Sequence, residues 1–240
     1  VDKSLIEIWV YLATQPLLWL CITLLAYLCG HWAFRRSGQH PLCNPVLIAI
    51  ALIGGLLGLT ATPYARYFAG AQFVHFLLGP ATVALAIPLF RHWAEVRRLW
   101  LPLLAGLLAG SSTAALSAMG IAMLAGASRS TVLSLAPKSV TTPVAMGIAE
   151  KIGGLPSLTA VLVILTGIVG AVAGPTLLRW MRIDEQEVQG FAIGVAAHGI
   201  GTARAFQIGG LCGAFAGLAI GLNALLTAVL VPLLVRLAGI

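Results

Sequence analysis

The chain has 240 residues, 60% of them hydrophobic and only 9% charged, with a mean hydropathy of +1.00. A soluble domain carries about 25% charged residues, so a soluble enzyme or a second extramembrane domain is excluded. The net charge of +7 comes largely from arginines that flank apolar runs (Arg35-Arg36, Arg91, Arg97-Arg98, Arg179, Arg182), which is how loop anchors at a bilayer are placed, not a nucleic-acid surface.

A membrane-spanning helix needs about 20 apolar residues. Runs free of Asp, Glu, Lys and Arg occur at 8–34, 37–65, 67–90, 99–128, 152–178 and 205–235. Asp2 and Glu7, with no small-residue cleavage site behind them, argue against a removable leader, and Pro16 separates a short interfacial helix over 1–16 from the first span. Spans are expected near 17–34, 45–62, 71–90 and 99–125 in a first half (17–125), and near 156–178 and 207–236 in a second half (126–240). One integral membrane domain over 1–240 is the expected organisation. Trp32, Trp93, Trp100 and Trp180 fall at span ends, where indole rings favour the headgroup level. Gly54/Gly58, Gly106/Gly110, Gly170/Gly174 and Gly213/Gly217/Gly221 are spaced for close helix packing. Cys21, Cys29, Cys43 and Cys212 form no CxxC pair, so neither a disulfide nor a metal site is expected.

Two segments are not clean spans. Residues 128–152 are polar in the middle, around Pro137-Lys-Ser-Val-Thr-Thr-Pro143; residues 184–205 open on Asp-Glu-Gln-Glu and close on His198-Gly-Ile-Gly-Thr-Ala-Arg204. Each is long enough to cross as a broken helix or to turn back inside the bilayer, where irregular backbone survives only against protein or a watery cavity. Pro80–Ala86 echoes Pro137–Pro143 at an offset of 57, and His198–Arg204 is a weaker third copy. Repeats around interrupted helices are a transporter pattern. The repeat favours a crossing for 128–152. The charges favour a hairpin, because Arg179/Arg182 then lie on the same side as Arg97/Arg98. The balance falls narrowly to the hairpin. The expected fold is therefore an all-α polytopic membrane protein with about six to eight transmembrane segments, internal repeats and interrupted or re-entrant helices.

Lys138 at the bilayer centre costs about 2.5–3.5 kcal/mol on insertion scales, an expense that usually marks function. Pairing with Glu150, snorkelling aside, would need a break such as Pro143 offers, because 12 residues of straight helix span about 18 Å. Ser139, Thr141 and Thr142 can donate to an anion, and Thr142 as N-cap with Pro143 as first helical residue would aim a half-helix N-terminus into the same space. In the second motif Gly199 and Gly201 allow close approach to the backbone, Thr202 adds a hydroxyl, and Arg204 can clamp a carboxylate unless it simply ends a helix at the surface. His198 can bind substrate or pass a proton, with Glu150 the other candidate for coupling. Interior bases (Lys138, Arg204, His198, His75) outnumber acids, which suits an anionic substrate. No catalytic triad, metal cluster or nucleotide loop is present, so no enzyme activity and no cofactor are expected.

At these motifs the chain resembles the LrgB/CidB family, through Phe76–Leu89 (FLLGPATVALAIPL), Pro137–Lys151 (PKSVTTPVAMGIAEK), Pro156–Ala160 (PSLTA) and Ala197–Arg204 (AHGIGTAR), and the resemblance runs over nearly the whole chain. It implies a multi-pass protein of the bacterial inner membrane, with a small holin-like partner of the LrgA/CidA type. It also implies either antiholin-like control of murein hydrolase activity and lysis, or transport of small carboxylates such as pyruvate, glycolate or glycerate. It supplies no agreed set of site residues. The leading expectation is an alternating-access carrier of a small monocarboxylate anion, in which Lys138 and Arg204 attract the carboxylate and Ser139, Thr141, Thr142 and Thr202 read its oxygens. The rivals are a substrate-free regulator of the holin-like partner and a pore that conducts without saturation. With so few spans, a homodimer in the lipid bilayer is expected.

Overall fold

The computed structural model describes residues 15–38, 43–77, 80, 83–84 and 86–240. The interfacial helix expected over 1–16 and the His75 side chain lie mainly or wholly outside these, and the Pro80–Ala86 echo lies outside them in part. Among the described residues all regular structure is helical: α1 (Pro16–Arg36), α2 (Pro45–Leu59), α3 (Tyr64–Phe76), α4 (Ala86–Arg91), α5 (Trp93–Arg98), α6 (Trp100–Leu124), α7 (Arg129–Leu135), α8 (Thr142–Ile152), α9 (Pro156–Trp180), α10 (Gln186–Ile208) and α11 (Gly210–Ala238). Of these, α1, α6, α9 and α11 are long and apolar enough to cross a membrane. The chain forms two compact units, Val1–Ala84 and Leu85–Ile240.

In the first unit, α1 packs against both α2 and α3. Pro45 opens α2 behind Asn44, whose Oδ1 accepts from the backbone N–H of Val46 (2.9 Å) and Leu47 (3.3 Å), satisfying two of the donors a helix start leaves unpaired. Trp19 is fully buried and meets Tyr67 edge-on at 5.9 Å, with the Thr23 hydroxyl 3.2 Å from the Tyr67 hydroxyl. The span expected over 71–90 does not form as one helix: α3 already starts at Tyr64 and ends at Phe76, and Leu77 is in a turn; beyond it residues 80 and 83–84 and α4 from Ala86 are helical among the described residues. Pro80 and Pro88 lie in this stretch, and each removes a backbone donor that a continuous helix would use.

The second unit carries the two polar motifs. After the short α4 and α5, its order is spanning helix, hairpin, spanning helix, hairpin, spanning helix. Ser128 starts α7 by accepting from the Thr131 N–H (3.3 Å). The chain then turns over 136–141 and returns as α8, which Gly153 ends in the left-handed conformation (φ 88°). Residues 134 and 154 would be about 30 Å apart in a continuous helix. Instead Ser134 Oγ accepts from the Leu155 N–H at 2.8 Å, and a Cβ on Gly154 would lie 3.0 Å from Ser134 N. Residues 128–152 therefore turn back rather than cross.

The second hairpin lies inside α10. His198 has φ 40° and ψ −135°, and the chain reverses there. Residues 186 and 209 would be about 34 Å apart in a straight helix, yet a Cβ on Gly209 would strike the Gln186 side chain. Gly201 packs on Ala197 and Ile193, and Ile193 and Ala205 share one buried cluster. The limbs are Gln186–Ala197 inward and Gly199–Ile208 outward.

The glycine pairs seat this hairpin. A Cβ on Gly106 or Gly110 would lie 3.8 Å from Phe191 or 3.1 Å from Val195, and Gly170 and Gly174 face Ala197 and Ile193. Gly190 and Gly194 meet the backbone of α11 at Cys212 and Ala216. Gly54 and Gly58 in the first unit, by contrast, have nothing within 4 Å on their Cβ side.

The two hairpins enter from opposite ends of the bundle. The first starts just beyond the C-terminal end of α6 and finishes at the start of α9, where Thr159 Oγ1 donates to Ser134 O (3.1 Å). The second starts after the far end of α9, some 25 residues on. Arg97, Arg98, Arg179 and Arg182 thus share one end of the unit, as the hairpin reading requires, while Arg129, Lys151 and Arg236 share the other.

Candidate functional site

The first tip, 136–141, is held by short turn bonds, Lys138 N–H to Leu135 O (3.2 Å) and Val140 N–H to Pro137 O (3.3 Å). Ser139 and Val140 are buried, Lys138, Thr141 and Thr142 half-buried, and Pro143 exposed. The start of α8 corrects the expected cap by one residue. Thr141 is the N-cap, with extended backbone and no side-chain cap bond, and Thr142 is the first helical residue. Pro143 falls second, where its missing N–H is still one that the helix leaves unpaired.

The second tip is a single residue. A non-glycine residue at φ 40° is strained, and the surroundings of His198 hold it there. Its ring Nε2 donates to Val163 O on α9 at 2.8 Å, its Cε1 and Nε2 lie against Gly167, and its carbonyl accepts from Thr202 Oγ1 at 3.0 Å. With Nε2 committed, Nδ1 is the ring atom left to take up a proton. Val163, whose carbonyl holds this ring, also packs by its side chain in the apolar cluster of the first hairpin, with Ala136, Val140 and Ala145.

The tips meet at Asn223, near the middle of α11 and 1% exposed. Its Nδ2 donates to Ser139 O in the first tip (3.1 Å) and to Val195 O beside the second (3.0 Å). Its Oδ1 accepts from Ser111 Oγ, near the middle of α6 (2.6 Å), and from Thr227 Oγ1 one turn along α11 (3.1 Å). Both donors and both lone pairs are thereby used. Sequence reasoning missed Asn223, Ser111 and Thr227 because only charged residues were counted against the apolar runs. The signal was a lone asparagine at the centre of the 29-residue α11.

Both outward limbs, α8 and Gly199–Ile208, begin at these tips. Two helix N-termini, with positive dipole ends, therefore begin near mid-span, one of them at the tip that carries Lys138. Arg204 and Glu150 are not brought there. Arg204 lies on the outward limb, donates from Nη1 to Gln207 Oε1 (2.9 Å) and is close enough to Arg179, at the far end of α9, to feel its charge. Glu150 is exposed in the last turn of α8, and among the described residues no ion pair joins it to Lys138. Gly201 is occupied by packing between the limbs. An apolar cavity of about 380 Å³ lies between α6 and the inward limb of the second hairpin, lined by Leu103, Gly106, Gly110, Phe191 and Val195 among others. Its walls offer nothing to hold a small anion. Among the described residues no group of His, Cys, Asp and Glu is arranged for a metal.

The model of the LrgB-like family matches residues 23–237. Two Bacillus subtilis (strain 168) proteins, the uncharacterized proteins YwbG and YxaC, are 36% and 37% identical over 90% of this chain, covering 95% and 94% of their own lengths. A Bacillus cereus (strain B4264) protein named antiholin-like protein LrgB is 28% identical over 93% of this chain and 97% of its own. No solved structure matches the chain.

Proposed function

The chain belongs to the LrgB-like family, and from that premise we propose that it carries a small monocarboxylate anion of the pyruvate, glycolate or glycerate kind across the bacterial inner membrane. The observation that supports this reading is the meeting of two hairpin tips, one of which bears Lys138, on Asn223 near mid-span, on hairpins that enter from opposite ends. Re-entrant helices that expose amide donors at the midplane suit an anion that must shed its water there. Lys138 supplies the full charge, and the Thr141 and Thr142 hydroxyls, together with the limb amides, read the carboxylate oxygens. Ser139 sits at the same tip. Gly199, exposed at the second tip, lets the anion approach the backbone. Arg204 attracts the anion from the end that carries Arg179, with Thr202, Gly201 and Pro143 shaping the limbs. His198 through Nδ1, or Glu150, would take the proton if transport is coupled to one. The protein acts as a homodimer beside a holin-like membrane partner.

Uptake of labelled pyruvate, glycolate and glycerate into proteoliposomes tests the reading. Saturable uptake of at least one, lost in Lys138→Ala, is expected. A folded protein that takes up none of them contradicts it.

A second reading has its own support in the name of the Bacillus cereus relative, antiholin-like protein LrgB. On it the chain restrains a holin-like partner and so murein hydrolase activity and lysis, without moving a substrate. Its mark is a lysis phenotype that depends on the partner and persists in Lys138→Ala.

A further inference from the structure

We propose that Asn223 is a positioning residue that registers the two hairpin tips against each other, and that its two bonds to the tip carbonyls must open before anything passes between them. The proposal deepens the transport reading by naming its gate, but the clasp itself is observable without transport.

An asparagine buried in a transmembrane helix is commonly glue between two helices. Asn223 differs in what it holds. Its amide oxygen is bound by Ser111 on α6 and Thr227 on its own helix, both in spanning segments. That pair of donors fixes which way the amide faces, so the NH₂ must point at Ser139 O and Val195 O. Neither acceptor is a side chain; both are backbone carbonyls at interrupted helices. Ser139 lies in the turn between α7 and α8, and Val195 lies in the last turn before the break at His198. Such ends leave carbonyls short of intrahelical partners. One amide group thus supplies donors to two hairpins from opposite ends of the bundle. No residue of one hairpin need recognise the other directly, since each is positioned on Asn223.

The arrangement makes the hairpins independent in one respect. Either can withdraw by breaking one bond to Nδ2 while the other stays bound, and the frame of α6 and α11 keeps the amide aimed for its return. That is the behaviour alternating access requires of two opposed gates. It also means that volume alone cannot replace Asn223. Leucine has nearly its shape and no donor. Ionised aspartate has its shape, no donor, and a charge that repels both carbonyls.

The test is hydrogen–deuterium exchange of the protein in lipid nanodiscs, comparing wild type with Asn223→Leu, Asn223→Asp and the milder Ser111→Ala. Amides of 136–142 and of 196–202 are expected to exchange at least tenfold faster in Asn223→Leu and Asn223→Asp. In Ser111→Ala, which frees the amide to turn, the acceleration should be severalfold at both tips. Amides in the middle of α6 and α9 should be unchanged in all three variants. Unchanged exchange at either tip in Asn223→Leu overturns the proposal; so does uniform acceleration throughout the unit in Asn223→Leu together with no two-tip pattern in Ser111→Ala, which deletes only one hydroxyl. If the wild type transports no carboxylate yet shows the two-tip pattern, the transport reading fails and the registering clasp stands. If the wild type transports and the pattern is missing, the clasp alone fails.

Discussion

The two hairpins solve one problem with different chemistry. The first reverses over six residues, 136–141, with proline removing donors, short turn bonds taking up carbonyls and a lysine left at the tip. The second reverses at one residue, His198, in a backbone conformation that costs about 1–3 kcal/mol, offset by the ring bond to Val163 O and the packing around it. The first tip is longer and polar; the second is tight and braced. On this account the first hairpin supplies most of the chemistry of recognition and the second a rigid wall. Both are registered on the same asparagine.

The largest expected effect separates these roles. Lys138→Ala should lower carboxylate uptake more than tenfold while leaving melting temperature within a few degrees, because removing an interior charge relieves an insertion cost. Lys138→Arg should retain part of the uptake. His198→Ala should show the reverse balance, with thermal stability clearly lower and residual uptake of the folded fraction largely kept. Asn223→Leu, which touches both hairpins, should destabilise by about 1–2 kcal/mol, in line with the modest worth of polar contacts inside membranes, as measured by unfolding in mild detergent.

A finer effect bears on His198 alone. Glycine accepts its φ without strain, while alanine keeps the strain and lacks the ring. His198→Gly should therefore be about 1 kcal/mol more stable than His198→Ala. Equal stability of the two would show that the backbone at 198 is not strained. The smallest effect is expected at the base of the first hairpin. Ser134 accepts from Leu155 N–H and donates to Ser130 O (2.6 Å), so Ser134→Ala should cost about 1 kcal/mol with no change in uptake affinity.

How far the sequence disclosed this follows from the same contrast. Six spans were expected from uninterrupted apolar runs; α1, α6, α9 and α11 fall on four of them within a few residues, and the shorter α2 takes most of 45–62. The first hairpin was visible because proline, lysine and hydroxyls are costly at that depth, and the arginine distribution already tipped it toward turning back. The second was only half visible. His198-Gly199 reads as a break, but no proline marks it, and nothing local says that the chain reverses rather than kinks. The glycine pairs at 106/110 and 170/174 read as packing faces, which they are, yet spacing does not name the partner limb. Asn223 was lost for a different reason. A single amide barely disturbs the hydropathy of α11, and its importance comes from what three distant segments place around it.

The most direct test is the opposed entry of the two hairpins. With the native cysteines replaced, Arg129→Cys and Glu185→Cys, both at exposed positions, would be labelled by a membrane-impermeant maleimide in vesicles of known orientation. The account predicts that Arg129→Cys reacts from one face only and Glu185→Cys only from the other. Labelling of both from the same face would contradict it.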